Sequence, residues 1–296
     1  MAGLNPWPEG PVWGAQSAHL RCGLAEFWGT FVLILLGCGW VAQAELRGWT
    51  GGFLRARGPG AQVERRLLAH VRLLGADKPL RFMVSAGAYI GSGASGTHLN
   101  PAVSLAMCFL RRLDWNLLPT LCLAQLAGAF CGAATVFVWH YDGLQALSAG
   151  AWTVAGPNAT AGIFASYPSG QQSSLSCFAD QVMASAAFLT CVLAVLGEGV
   201  PAPRHKLQPP AQRLALFLVG SALGSSCGCP INPAEDLGPR AFAAVAGWGL
   251  EVFRVGNHWW WIPVLGPLVG ALLGASVYHH ALALPVLLSG RKKTAA

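Results

Sequence analysis

The chain has 296 residues, 54% of them from the apolar set AVILMFWYC and only 10% charged. An ordinary soluble domain carries about 25% charged residues, so a water-facing globular surface is excluded over most of the chain, as is disorder, and the class is a polytopic membrane protein. Lys and Arg number 19 against 12 Asp and Glu, a net charge of +7; these charges fall mostly between apolar runs and are not interleaved with stacking aromatics, which reads as loop charge and excludes nucleic acid as a partner.

Residues 1–20 contain Pro6, Pro8 and Pro11 and lack a basic start followed by an apolar core, so they read as a cytoplasmic tail and not as a cleaved signal. A bilayer core about 30 Å thick needs about 20 apolar residues per helix. The run at 22–43 meets that length, and the next, at 80–95, is short and follows Asp77, Lys78 and Pro79, so it spans only if its first turns are irregular or polar. Further runs lie at 117–139, 178–196, 211–226 and 259–284, and a basic cytoplasmic tail occupies 286–296. Nine cysteines make no paired C-x-x-C set, and the expected state is buried free thiols acting as small hydrophobes.

Two apolar stretches, 100–110 and 232–245, are too short to cross, and each opens with Asn-Pro-Ala. Asn is a favoured N-cap, and Pro fits the first helical turn because its missing N–H would be unpaired there anyway. Both are therefore helix starts that enter the membrane only partway, which is tolerated where protein or a water-filled cavity satisfies the backbone. The sequence also repeats: HLNPA at 98–102 answers PINPA at 230–234, and AQLAGAFCGA at 124–133 answers GPLVGALLGA at 266–275, with Gly128 and Gly132 matching Gly270 and Gly274. Three spans per half invert the second half relative to the first, so the half-helices enter from opposite sides. The expected fold is an all-α membrane protein of six transmembrane helices plus two re-entrant half-helices, a channel domain over 21–285 with repeats at about 21–139 and 178–285.

Arg111 and Arg112, the cluster Arg204, His205, Lys206 and Arg213, and Arg291, Lys292 and Lys293 all fall on one side of such a topology, which is then cytoplasmic. The loop 140–177 lies outside, and Asn158 in Asn-Ala-Thr is a glycosylation acceptor there. The basic segment 55–78 conflicts with that count. It reads as a solvated inserted loop, with a surface-lying amphipathic helix over 63–74 as the alternative.

Two half-helices meeting tip to tip would each present a positive dipole end, and Asn100 and Asn232 would offer amide N–H groups to one narrow space. A neutral hydroxylic molecule can exchange its water hydrogen bonds there, whereas a proton or cation meets unfavourable potential from both tips. The motifs AEFWGTFVLILLGCG (25–39), SGTHLNPAVSLAM (95–107), GPNATAGIFASYPS (156–169), INPAEDLGPR (231–240), AGWG (246–249) and WWWIPVLGPLVGA (259–271) resemble the aquaporin family, over residues 20–278 apart from 55–78. Asp236, Arg240 and the long loop ending in FASYPSG resemble its glycerol-conducting branch.

That resemblance implies a multi-pass homotetramer of the plasma membrane with cytoplasmic termini, passing glycerol, other small neutral solutes and water across the lipid bilayer, with no catalysis, metal or cofactor. It implies a pore lined by Asn100, Pro101, Ala102, Asn232, Pro233 and Ala234, and a constriction at Leu80, Gly220, Cys229 and Glu235. Leu80 and Glu235 depart from the aromatic and arginine of that pattern. Glu235 is favourable local chemistry, an acid in the first turn close to a capping box, yet a carboxylate only accepts hydrogen bonds and attracts cations. The alternative reading is a non-conducting or altered-selectivity subunit of the same fold. Glu26 reads as a structural carboxylate holding the re-entrant loop, with Asp180 and Gln181 in the matching part; His98 either lines the pore or is a satisfied core histidine.

Overall fold

The computed structural model describes residues 15–46, 98–156, 158–168, 173–196, 208–223 and 230–285. The expected second span at 80–95, the insertion at 55–78, Leu80, Cys229, the basic cluster at 204–206 and the tail at 286–296 lie outside the described residues. Among the described residues there are nine α-helices and no strand. They are α1 (Ala15–Leu46), α2 (Pro101–Phe109), α3 (Leu118–Trp139), α4 (Tyr141–Leu147), α5 (Ser174–Leu196), α6 (Gln208–Leu223), α7 (Pro233–Ala243), α8 (Glu251–His258) and α9 (Ile262–Val277).

At 1.5 Å per residue, the 32 residues of α1 extend about 48 Å, so its ends outrun the apolar core of a bilayer, while the 22 of α3 and 23 of α5 match that core. These helices are apolar on nearly every face. Each buries one stripe against its neighbours and leaves Leu123, Val138, Trp139, Leu175 and Met183 exposed, as a lipid solvent permits. The last span is composite: a 3-10 turn at Trp259–Trp261, α9, then a π-helical segment at Tyr278–Ala283. The stretch 140–177, expected as loop, holds α4 and a 3-10 turn at Ala161–Ile163, and α8 is an element the apolar pattern did not announce.

The repeat appears as matched backbone contacts. A Cβ at Gly128 of α3 would overlap the Phe27 backbone of α1, and one at Gly132 would strike Phe31 and Ile34. On the other side, Gly270 and Gly274 of α9 stand in the same way against Val182, Ser185 and Ala186 of α5. A shift of 155 positions carries Phe27 to Val182, Phe31 to Ala186 and Glu26 to Gln181. Glycine at a four-residue spacing removes the side chains that would hold two helices apart, which is how helices associate where water gives no driving force.

The half-helices stitch the halves together. α2 buries Ala102, Val103, Ala106 and Met107 against Leu189, Val192 and Leu193 of α5 and Ala271 and Ala275 of α9. α7 leans on α3, where a Cβ at Gly238 would meet the Ala129 Cβ at 2.5 Å. Beyond α7 the chain passes through a π-helical stretch, Ala244–Trp248, in which Gly247 has φ +129° and faces the Trp152 indole; a side chain there would be strained and would collide.

One expectation is corrected. Cys177 is not a free thiol: it is disulfide-bonded, its other half lying outside the described residues. The thiols of Cys22, Cys38, Cys108, Cys122, Cys131 and Cys191 are free. Spacing alone does not distinguish a cysteine that packs from one that meets a distant partner.

Candidate functional site

The two Asn-Pro-Ala segments fold alike. Asn100 (φ −154°, ψ 118°) and Asn232 (φ −138°, ψ 107°) are extended N-caps, each accepting the N–H of the alanine two residues on, Ala102 at 2.8 Å and Ala234 at 3.0 Å, with proline at the first helical position. The residues before them, Leu99 (φ +52°) and Ile231 (φ +35°), are left-handed although neither is glycine. Such a conformation is costly, most of all for a β-branched side chain, and persists only where its surroundings over-determine it.

What over-determines it is a crossed pair of hydrogen bonds. The left-handed turn presents each carbonyl to the opposite motif: Asn232 Nδ2 donates to Leu99 O at 2.7 Å, and Asn100 Nδ2 donates to Ile231 O at 2.9 Å. Both asparagines are buried. Each carboxamide has two N–H groups, so each retains one beyond that used on the opposite carbonyl. Two helix N-termini, each equivalent to about half a positive charge, thus meet at one place with polar donors between them.

The first tip is propped by α1. Glu26 is fully buried; its Oε1 accepts the backbone N–H of His98 at 2.8 Å, and its Oε2 accepts that of Leu99 at 2.7 Å and Gln125 Nε2 at 2.8 Å. Gln125 also donates to Ser104 Oγ, which lies 3.1 Å from His98 Nδ1. At the second tip Gln181 Oε1 accepts the N–H of Ile231 at 3.3 Å. Among the described residues no group of three or more His, Cys, Asp or Glu side chains is placed to hold a metal ion.

The profile of the major intrinsic protein family matches residues 14–278. The chain belongs to that family. It is 47% identical over 265 residues to aquaporin-9 of Homo sapiens, covering 87% of this chain and 83% of that one, and 43% identical over 273 residues to aquaporin-10 of Homo sapiens, covering 91% and 83%. Its fold is similar to the X-ray structure of the aquaglyceroporin from Plasmodium falciparum, with a TM-score of 0.73 at 24% identity, covering 91% of this chain and 99% of that one.

In this major intrinsic protein Asp236 and Arg240 form a clamp on one face of α7. Arg240 Nε donates to Asp236 Oδ1 at 2.8 Å, Nη1 to Val252 O at 2.6 Å, and Nη2 to Ser166 O at 2.6 Å and Asp236 Oδ2 at 3.1 Å. Asp236 also accepts the Ser166 N–H at 2.8 Å and its hydroxyl, to which Trp259 Nε1 donates at 3.3 Å. The guanidinium lies 4.8 Å from the Tyr167 ring centroid and is fully buried. Burial pushes the Tyr167 phenol up to about 12, against the opposing pull of Arg240. This ties the 158–168 loop and α8 to the half-helix.

Of the remaining expected site residues, Glu235 is half-buried in the first turn of α7, its N–H donating to Asn232 O at 3.2 Å, and Gly220 is buried on α6. Asn158 is exposed, while Thr160, two residues on, is buried and accepts Trp248 Nε1 at 3.2 Å. His98 is placed against Ser104. Sequence reasoning missed Gln125, Ser104 and Ser166. A lone glutamine in the apolar run 117–139 was a readable signal for the first; nothing near Ser166 pointed to Arg240.

Proposed function

We propose that this chain is a passive channel for glycerol, other small neutral solutes and water, working as a homotetramer of the plasma membrane with one passage per subunit and cytoplasmic termini. The observation that carries the reading is the crossed bonding of Asn100 and Asn232. A hydroxyl needs a donor as well as an acceptor when it leaves water, and an amide N–H remaining on each asparagine provides one from each side. Pro101, Ala102, Pro233 and Ala234 line the same place; Leu80, Gly220, Cys229 and Glu235 form the narrowest ring, and Asn158 carries a glycan. No step makes or breaks a covalent bond, so the activity is transport and not catalysis.

Purified protein in proteoliposomes tests this by light scattering under an osmotic step. Glycerol and water flux well above protein-free vesicles is the expected result, lost when Asn100 and Asn232 are both replaced by leucine. Flux equal to that of empty vesicles, from protein that runs as one species in detergent, overturns it in favour of a non-conducting subunit.

A further inference from the structure

Three facts about α7 bear on what charge the passage accepts. The half-helix Pro233–Ala243 contains one basic residue, Arg240, and two acids, Glu235 and Asp236. Arg240 and Asp236 are spent on each other: the guanidinium is fully buried, bonded to Asp236, Val252 O and Ser166 O and lying over Tyr167, so its charge is neutralised inside the clamp and does not face the passage. Glu235 alternates with buried neighbours, Ala234 and Asp236, yet is itself partly accessible.

Its position gives that accessibility a direction. Residues three apart lie on one side of a helix, so Glu235 shares a flank with Asn232, about 4.5 Å further from the tip at 1.5 Å per residue. The helix packs against α1, α2, α3, α8 and α9, so the open flank faces the space that these helices enclose. The two tips together amount to about one positive charge, and one carboxylate is of equal size and opposite sign. At short range in a medium of low dielectric such a charge outweighs the separate dipole ends, because both half-charges are spread over several N–H groups.

We infer that Glu235 makes the passage admit small monovalent cations bearing N–H donors, of the guanidinium class, alongside neutral solutes; this rests on the channel reading above. The carboxylate accepts hydrogen bonds and returns none, which suits a donor-only guest better than a polyol. Urea and guanidinium have nearly the same planar shape and differ by one charge, so their flux ratio separates charge from size.

The test uses the full-length protein in proteoliposomes, following glycerol, urea and guanidinium uptake in parallel. Guanidinium uptake well above that of protein-free vesicles is expected, with the guanidinium-to-urea ratio falling at least about tenfold in Glu235→Gln and further in Glu235→Arg, as loss and then reversal of one near charge requires. Glycerol flux with guanidinium uptake no greater than in empty vesicles overturns this inference and leaves the channel reading standing, as does a ratio that Glu235→Gln leaves unchanged. Absence of both fluxes overturns the two together.

Discussion

The two tips share one backbone geometry and are held in place by different chemistry. At the first, a buried carboxylate on α1 gathers two backbone N–H groups and the Gln125 amide. At the corresponding position of the second half stands Gln181, with a single 3.3 Å bond to Ile231. The second tip is secured instead from behind, by the Asp236–Arg240 pair and the loop it holds. A repeat therefore preserves the geometry of the working atoms more strictly than the means of supporting them, and the two supports should fail differently.

The largest effect is expected from opening the clamp. Arg240→Met leaves the Asp236 carboxylate buried without its cation, a loss of about 3–5 kcal/mol, and adding Asp236→Leu should recover most of it, because an apolar pair is tolerated where half an ion pair is not; thermal unfolding in detergent measures both. Glu26→Leu comes next. It strands the His98 and Leu99 N–H groups and the Gln125 amide, on the order of 3 kcal/mol, and should abolish glycerol flux, whereas Glu26→Gln retains an acceptor and part of the activity. Gln181→Leu removes one long bond and should cost only about 1 kcal/mol, with flux largely kept. Equal losses for the Glu26 and Gln181 variants would erase the contrast between the tips.

The smallest effect concerns the clamp's edge. Tyr167 titrates at about 12 in the folded chain against an ordinary 10.0, so unfolding releases its proton first, and stability should fall as pH rises from 10 to about 12. Below 10 the phenol is neutral in both states and contributes no slope. Tyr167→Phe should remove that part of the decline, read from unfolding midpoints compared across the same range.

Much of this arrangement was legible before any coordinates. Asn-Pro-Ala predicts a capped helix start because Asn and Pro meet local needs that any helix N-terminus has, and glycines four apart predict close helix contact for an equally local reason. The run lengths found the spans, although α1 begins at Ala15 and not at 22, since the end of an apolar run marks the bilayer and not the helix. Glu26 stood out as an acid in an apolar run, and its structural role matches its three bonds. What could not be read is what depends on distant meetings: Ser166 with Arg240, 74 positions later, or Cys177 with its disulfide partner. Nor do Leu99 and Ile231 advertise their left-handed backbone, because the strain is imposed by the opposite motif and not by their own side chains.

The crossed bonds between the motifs carry a consequence for biosynthesis. Asn100 closes on a carbonyl made 131 residues later, so the N-terminal half leaves the ribosome with its re-entrant helix incomplete and Leu99 waiting for an amide that does not yet exist. Neither half can finish its own tip. A truncated transcript would yield a protein with an unanswered polar group in the lipid, a natural target for quality control.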